Sequence, residues 1–500
     1  MVWYQKFEYA VGHWLQKATE HVFGCVLCCP GCFSLFRGSA LVDDNVLQTY
    51  TREPEEGSHL VQFEQGEDRW LCTLLLKRGY KIDYCAGADA KTFAPEGFSE
   101  FFIQRRRWSP STLANMIDLV KDWRVLVKNN NQISRLFMLY QCVMLATTIF
   151  APATVVILIA GSFNTVLGIG SWYSLFLAVG PVIVFAVSCF LCKQGTQLLI
   201  AGVLSSVYAF VMVIVTIGMI FNFLTEDSES LIVTFFLSVA LVFVFAGFIH
   251  PKELPCLFSG LLYYVTVPST FIFLTVFFIC NMHDVSWGTR ERKTDNKTDI
   301  SIFSMIKDYI VRKLNVEPLT TPNMETGFST EADGEDIAAA KRNKYKLKRQ
   351  HTMVHTEAWM NQIGCPNIEP LAASETDFWK KLIEKYLKPL DRNSTLQARF
   401  TNELVELRNK CVYGFFMLNL ILALAMLQLQ VSREKLKGFY FMGKYEPVAT
   451  LLLVVFTVLL AIQVLGMFKH QWGTFLHLIS STKLTRGARR VNNHTTQDAC

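Results

Sequence analysis

The chain passes abruptly from a mixed polar segment to long apolar runs near residue 133. Seven apolar stretches follow, and each is close to the ~20 residues that a membrane-spanning helix needs. They occupy 136–161, 172–192, 198–224, 231–249, 256–280, 412–430 and 447–468. Because a polar region separates the fifth stretch from the sixth, the pattern predicts seven spanning helices in two groups.

The segment before the first apolar stretch predicts a mixed α/β structure. The leucines of GEDRWLCTLLLKRGY fall on one helical face, and Gly79 stands where that helix should end. The KIDYCAG that follows alternates in the manner of a strand from Ile82 to Ala86.

Two amphipathic helices are predicted directly before the first span. PEGFSEFFIQRRRW groups its phenylalanines at helical spacing. In SPSTLANMIDLV, Ser109 is placed to cap a second helix, whose apolar residues recur at i, i+3, i+4 and i+7 from Leu113 to Val120. We expect both helices to lie in the membrane interface. Ordinary surface helices are the alternative.

Composition narrows the class of protein. Of the 500 residues, 51% are hydrophobic and 18% are charged, against about 25% charged in average soluble domains. A soluble multidomain enzyme is therefore disfavoured, and a net charge of +6 does not indicate a nucleic-acid partner. The seven apolar stretches contain no Asp, Glu, Lys, Arg or His. Since transporters and channels usually keep ionisable residues in their spans, that alternative is also disfavoured.

Three short motifs carry candidate chemistry. Glu67-Asp68-Arg69 opens the predicted helix, where acidic residues stabilise a helix start or a carboxylate acts as a general base. Gln104-Arg105-Arg106-Arg107-Trp108 would anchor the chain at the membrane surface, or bind a diphosphate and stack on a sugar ring. The third motif, Ser286-Trp287-Gly288-Thr289-Arg290-Glu291, has no chemistry that its residue types predict.

A fourth group is the cysteine cluster Cys25, Cys28, Cys29 and Cys32. It twice repeats the C-x2-C spacing of zinc sites. Four ligands within eight residues, two of them adjacent, would be crowded, which disfavours zinc.

In combination, the motifs EDR, QRRRW and SWGTRE around a group of spans resemble chitin synthases. The animal type is the more similar, because fungal members carry Gly where Glu291 stands. The resemblance covers essentially the whole chain, including the opening WYQKFEYAVGHWLQKATEHVFG. It implies that a proline-glycine loop gates the product channel, and that its cysteines are loop and packing residues. This loop comprises Cys28, Cys29, Pro30, Gly31 and Cys32.

The resemblance also implies an activity and a fold. The enzyme would be a processive, inverting β-1,4-N-acetylglucosaminyltransferase that makes chitin from UDP-GlcNAc and extrudes it through its own spans. Asp68 would be the base, and the role of SWGTRE stays unassigned. The fold would be a partial α/β glycosyltransferase domain (GT-A-like) with interfacial helices, followed by a multi-span helical bundle. A hyaluronan- or cellulose-type synthase is disfavoured by SWGTRE. Residues expected to bind acceptor or substrate are Glu67, Arg69, Gln104, Arg105, Arg106, Arg107 and Trp108.

A divalent metal, Mg²⁺ or Mn²⁺, is implied as cofactor. The family holds it with an Asp-x-Asp motif, and none precedes Glu67. We therefore expect a C-terminal fragment that lacks the metal ligands. The implied partners are UDP-GlcNAc, the growing chitin chain and membrane lipid; a homo-oligomer is left open. The expected divisions are the acceptor-site domain 1–117, an interfacial linker 118–135, five spans in 136–280, a polar region 281–411, two spans in 412–468 and a basic tail 469–500.

Five spans would separate a cytosolic catalytic part from residues 281–411, which would then lie outside, with the plasma membrane as the expected location. N-x-S/T sequons begin at Asn296, Asn393 and Asn493 and would be open to glycosylation. A re-entrant fifth segment around Pro268 is the alternative, and it would reverse everything that follows.

Overall fold

The computed structural model describes residues 1–88, 90–225, 231–286, 372–384, 394–432 and 447–482. Residues 293–393 form a compact unit of their own, and the remaining residues form another. Each described element of regular secondary structure is helical.

The N-terminal part is a set of eight short and medium-length helices among the described residues. They are α1 (Val2–Val11), α2 (Ala18–Phe23), α3 (Gly38–Leu41), α4 (Asp44–Tyr50), α5 (Gly57–His59), α6 (Glu67–Arg78), α7 (Phe98–Lys121) and α8 (Trp123–Asn129). A π-helical stretch, Gly12–Lys17, joins α1 to α2, and a second one, Leu60–Glu64, precedes α6.

The predicted end of α6 is confirmed. Gly79 follows Arg78 with φ 99°, the left-handed conformation that favours glycine after a helix. The Gly79 and Tyr80 amides donate to the Leu76 and Leu75 carbonyls, which satisfies two of the carbonyls left open at the helix end.

The predicted strand from Ile82 to Ala86 is wrong. Residues 81–85 have no regular secondary structure, and the part of the chain that the structure describes contains no strand. The backbone groups of this segment have other partners. The Ile82 carbonyl accepts from the Val26 amide, and the Tyr84 amide donates to Nδ1 of His21. A sheet needs a paired neighbour, and here the N-terminal helices take that place.

The two predicted interfacial helices are one continuous helix, α7. Ser109 is therefore not a cap, and Pro110 lies in the helix interior. The proline removes one main-chain hydrogen bond, and the hydroxyl groups that follow it bond back to the preceding turn. Ser111 and Thr112 both donate to the Trp108 carbonyl, at 3.1 and 2.7 Å.

The buried face of α7 is partly polar. Ser111 and Asn115 are buried, whereas Ile117, on the apolar face that the sequence predicts, is 51% exposed. Hydrogen bonds explain this burial. The Asn115 amide donates to the Gln62 carbonyl, and its oxygen accepts from the Thr73 hydroxyl of α6. α7 therefore faces α6 with a polar stripe whose groups are satisfied, as buried polar groups must be.

Five of the seven predicted spans are confirmed as helices long and apolar enough to cross a membrane. They are α9 (Arg135–Leu167), α10 (Ser171–Leu191), α11 (Gln194–Thr225) and, after the short helix α15 (Ala373–Leu382) of the separate unit, α16 (Ser394–Val431) and α17 (Pro447–Ser481). The fourth predicted span is α12 (Leu231–Ile249), and the fifth contains α13 (Gly260–Val265) and α14 (Thr275–Cys280).

The fifth predicted span is not one straight helix. Its two halves, Leu254–Val265 and Ser269–Cys280, meet at an angle of 67°. Pro268 lies in the break, where it disfavours a helical conformation for the residue before it. The segment is therefore a broken span or a re-entrant loop.

α9 and α16 run parallel. At their beginnings, Phe137 packs on Gly24, and Phe400 packs with Leu60 of the N-terminal part. Further along, Asn419 of α16 donates to the Ile149 carbonyl of α9. Both helices therefore start against the N-terminal part and leave it in the same direction.

Candidate active site

The helix that opens with EDR meets the helix that carries QRRRW at a glycine. Gly66, directly before Glu67, lies so close to α7 that an added Cβ would stand 2.6 Å from Cβ of Ser111. Ser111 is one turn beyond Trp108. The local contact therefore brings two of the three sequence motifs together and requires glycine at position 66.

Asp68 lies at this junction, half-buried, under the predicted gating loop. Its Oδ2 accepts from the Gly31 amide at 3.4 Å, and its Oδ1 accepts from the Arg69 amide at 2.8 Å. Tyr50 lies beside it, and its pKa is raised by burial and by the charges of Glu67 and Asp68. The structure thus brings the loop and the candidate base into contact.

The predicted gating loop is fixed on both sides of its Pro30-Gly31 turn. Lys17 donates to the Cys28 carbonyl at 2.6 Å, and the Cys29 amide donates to Sγ of Cys72 on α6. Cys28 is buried, which raises the pKa of its thiol. The loop therefore bridges the first helical stretch and the EDR helix.

Arg105 is paired inside the protein. Its guanidinium donates to Glu8 of α1 at 2.5 Å and lies over the rings of Phe101 and Trp108, each 5.0 Å from the ring centroid. Burial raises the pKa of the Glu8 carboxyl, and Arg105 opposes that shift. One side of Trp108 is thus occupied by a cation held in place by Glu8.

Arg106 points to a different partner. It is 2% exposed, forms an ion pair with Asp284, and donates to both the carbonyl and the hydroxyl of Ser286, at 2.9 and 3.1 Å. Burial lowers the pKa of Arg106 to about 10, so the guanidinium is charged at neutral pH. The second motif is therefore tied to the first residue of the third.

The structure describes some of the other predicted site residues and not the rest. Gln104 is half-buried on α7, and its buried Oε1 accepts no hydrogen bond from the described residues; Arg107 is half-buried on the same helix. The rest of the third motif, Trp287–Glu291, and the sequon residues Asn296, Asn393 and Asn493 lie outside the described residues.

Glu8 and Asp284 are site residues that the sequence analysis missed. One signal could have found them: three adjacent arginines on one helix cannot all face solvent, and a buried guanidinium needs a carboxylate. Sequence spacing could not have identified which carboxylate, since the two partners lie 97 and 178 positions away.

The implied metal has no fitting ligand set in the described part of the chain. Those residues contain no group of three His, Cys, Asp or Glu side chains that could hold an ion.

Comparison with known proteins gives a family match over the site and the first spans. The family model described as chitin synthase matches residues 1–223. A chitin synthase of Meloidogyne artiellia is 36% identical over 98% of this chain and 32% of its own length. The chitin synthase chs-2 of Caenorhabditis elegans is 35% identical over 97% of this chain and 34% of its own length.

The match to a fungal relative is shorter. The chitin synthase csmA of Aspergillus niger is 40% identical over 126 residues, or 23% of this chain. The resemblance to chitin synthases that the motifs predict is thereby confirmed, with similarity to nematode proteins along nearly the whole chain. The chain spans about a third of the length of those two nematode relatives.

Proposed function

Since residues 1–223 are a chitin synthase family domain, we propose that this chain holds the acceptor site and product path of a processive chitin synthase. The contact between Gly66 and Ser111 is the observation that best supports this, because it unites EDR and QRRRW beside the membrane bundle. The donor is UDP-GlcNAc, and the product is β-1,4-linked. The α/β GT-A fold remains our expectation for the whole catalytic domain.

The proposed reaction is a single inverting displacement. The 4-hydroxyl oxygen of the terminal sugar attacks C1 of the GlcNAc unit on the face opposite the diphosphate. Asp68 accepts the hydroxyl proton as the new C–O bond forms. The bond from C1 to the diphosphate breaks, and UDP leaves with the electron pair. A divalent metal, whose ligands we expect outside the described residues, would supply charge stabilisation to that leaving group.

The three arginines then have different roles. The charges of Arg105 and Arg106 are already balanced by Glu8 and Asp284, so we assign them to the architecture of the site rather than to the diphosphate. Gln104 and Arg107 remain our candidates for contacts with acceptor and diphosphate. Trp108, which has Arg105 on one side, would stack its other side on the terminal sugar.

The contacts favour the re-entrant alternative for membrane topology. Asp284 pairs with Arg106, and α16 starts against the N-terminal part as α9 does. An even number of crossings must therefore lie between the starts of α9 and α16. Four helices, α9 to α12, meet that condition if the segment Leu254–Cys280 enters and leaves on one side.

We accordingly place residues 281–411 on the catalytic, cytosolic side, in place of the exterior location that five straight spans predict. The N-terminal part and the chain beyond α17 lie on that side as well, and the plasma membrane is the proposed location. The basic residues of 433–446 and of the tail fall on opposite sides in either topology, so the positive-inside rule does not separate the two.

The test is product analysis with the protein expressed from its complete gene. Purified protein should incorporate GlcNAc from UDP-GlcNAc into an insoluble polymer that chitinase degrades. UDP-glucose and UDP-glucuronate, the donors of cellulose- and hyaluronan-type synthases, serve as matched controls. A chitinase-resistant polymer, or polymer from either control donor, would assign the protein to another class of glycan synthase.

A further inference from the structure

Asp284 contacts two of the three sequence motifs and the residues directly before the third. Its carboxylate pairs with Arg106 in the middle of QRRRW and accepts from the Ser286 amide at the start of SWGTRE, at 3.0 Å. Its carbonyl accepts from Nε2 of Gln65, two residues before Glu67, at 3.3 Å. Three segments far apart in sequence therefore meet at one aspartate.

The segment that carries Asp284 is itself fixed to the membrane bundle. The Asp284 amide donates to the Asn281 carbonyl at 3.0 Å, and the Asn281 side chain donates to Gln197 of α11 at 2.8 Å. Gln197 in turn donates to the carbonyls of Cys189 and Cys192 at the end of α10. An unbroken chain of hydrogen bonds and the Asp284–Arg106 ion pair thus leads from α10 and α11 to α7.

On the basis of the proposed function, we propose that Asp284 is a positioning residue of the transfer reaction. It makes no contact with Asp68 or Trp108, and it acts through Gln65 and Arg106. It sets where the start of α6 and the middle of α7 stand relative to each other and to the bundle. Because α6 carries the base and α7 carries the acceptor-stacking residue, their separation decides whether the acceptor hydroxyl lies within reach of the carboxylate.

The buried charge of Arg106 keeps Arg106 and Asp284 together. A buried guanidinium without a carboxylate is unfavourable, so Arg106 keeps its partner whenever the site is assembled. Arg106 has two further acceptors in Ser286, which fixes the plane of the guanidinium as well as its position. A shift of about 1 Å in reacting groups can lower a rate by about 100-fold, so a small loosening here is measurable.

The experiment compares Asp284→Asn with Asp122→Asn in the protein expressed from its complete gene. Asp122 pairs with Lys77, which keeps Asp118 as a second partner, and it lies away from the site. For Asp284→Asn we expect kcat per folded molecule to fall about 10- to 100-fold, while the KM for UDP-GlcNAc stays within twofold. The control should match the wild type in both constants.

Asp284→Asn also leaves Arg106 charged and buried, and the variant can fail to fold for that reason alone. The paired variant Arg106→Gln with Asp284→Asn removes both charges and keeps the approximate shapes. A folded paired variant with kcat near wild type would overturn the proposal. A paired variant with kcat at least tenfold lower and unchanged KM would support it.

Hydrogen exchange separates this inference from the proposed function, because it needs no turnover. In the folded variants, amides of 65–69 and 104–108 should exchange at least tenfold faster than in the wild type, while those of 400–410 keep their rates. Unchanged exchange at 65–69 and 104–108 would overturn the role of Asp284 even in a protein that makes chitin. If the variants exchange faster at 65–69 and 104–108 but the wild-type protein makes no chitin, only the proposed function is rejected.

Discussion

The amide of Gly31 donates to the carboxylate of Asp68 at 3.4 Å. The loop that resembles a channel gate thus touches the candidate catalytic base directly. Asp68 is half-buried, and this contact with Gly31 is exposed to solvent. The amide of Gly31 therefore occupies one oxygen of the candidate base and leaves the carboxylate accessible from the solvent side.

Replacing Asp68 by Asn should abolish most turnover. The amide keeps one oxygen, which can accept from the Gly31 amide or the Arg69 amide, but it cannot take up a proton at neutral pH. Loss of a general base costs about 10²–10⁴-fold in rate. The measurement is kcat for polymer formation, with UDP-GlcNAc binding followed separately and expected to change little.

The neighbouring substitution Glu67→Gln is the matched control for Asp68→Asn. Its contribution to the helix start is only about 0.3–1 kcal/mol, so a partial loss of activity is acceptable. Near-normal turnover of Asp68→Asn would mean that the base lies elsewhere and that EDR serves only to begin α6.

Replacing Trp108 by Ala should shorten the product while the donor still binds. One stacking contact contributes about 1 kcal/mol, which is about a fivefold loss of acceptor retention at each step. Trp108→Phe keeps a flat ring above Arg105 and should restore most of the chain length. Product size distribution is the readout. Equal lengths for Ala, Phe and wild type would exclude Trp108 from the acceptor site.

Local patterns predicted this fold well where one segment decides its own structure. Gly79 ends α6 because no other residue takes its backbone conformation as easily, and that information is local. The strand at Ile82 and the cap at Ser109 failed because partners far away decide them. Tyr84 bonds to His21, and Asn115 finds its partners on other segments.

The candidate site divides in the same way. The motifs that contain Asp68 and Trp108 could be recognised from residue order, and the proximity of these two motifs could be expected from the family. The carboxylates that neutralise Arg105 and Arg106 could not, because ion pairs across 97 and 178 positions leave no periodicity in the sequence. The sequence shows the proline at position 268 where the helix breaks. Whether the chain crosses the membrane or turns back there follows only from the contacts of Asp284.

Asn419 should stabilise the protein by bonding to main-chain groups next to Pro152 of α9. Pro152 lies inside α9, and the Asn419 side chain bonds to the helix beside it: the Ile149 carbonyl accepts from its amide, and the Ala153 amide donates to its oxygen, both at 3.1 Å. Asn419→Leu would remove both of these hydrogen bonds, each of which contributes about 0.5–1.5 kcal/mol. The detergent-solubilised protein should unfold at a lower temperature.

Gln428→Leu on the same helix provides the comparison for Asn419→Leu. Gln428 is exposed and contacts Ser432, so its loss should change the free energy of unfolding by no more than about 0.5 kcal/mol. If both variants unfold at the wild-type temperature, the Asn419 bridge is dispensable.

The proposed topology makes a definite prediction for glycosylation. With a re-entrant segment at Pro268, the sequons at Asn296, Asn393 and Asn493 all lie in the cytosol, where the modifying enzyme cannot reach them. None should carry glycan in protein made through the secretory pathway. A sequon inserted within 433–446, between α16 and α17, should be modified, and this positive control shows that the pathway acts on the protein. Glycan at Asn296 or Asn393 would require five crossings before residue 281. Arg106 and Asp284 would then stand on opposite sides of the membrane, which their ion pair forbids.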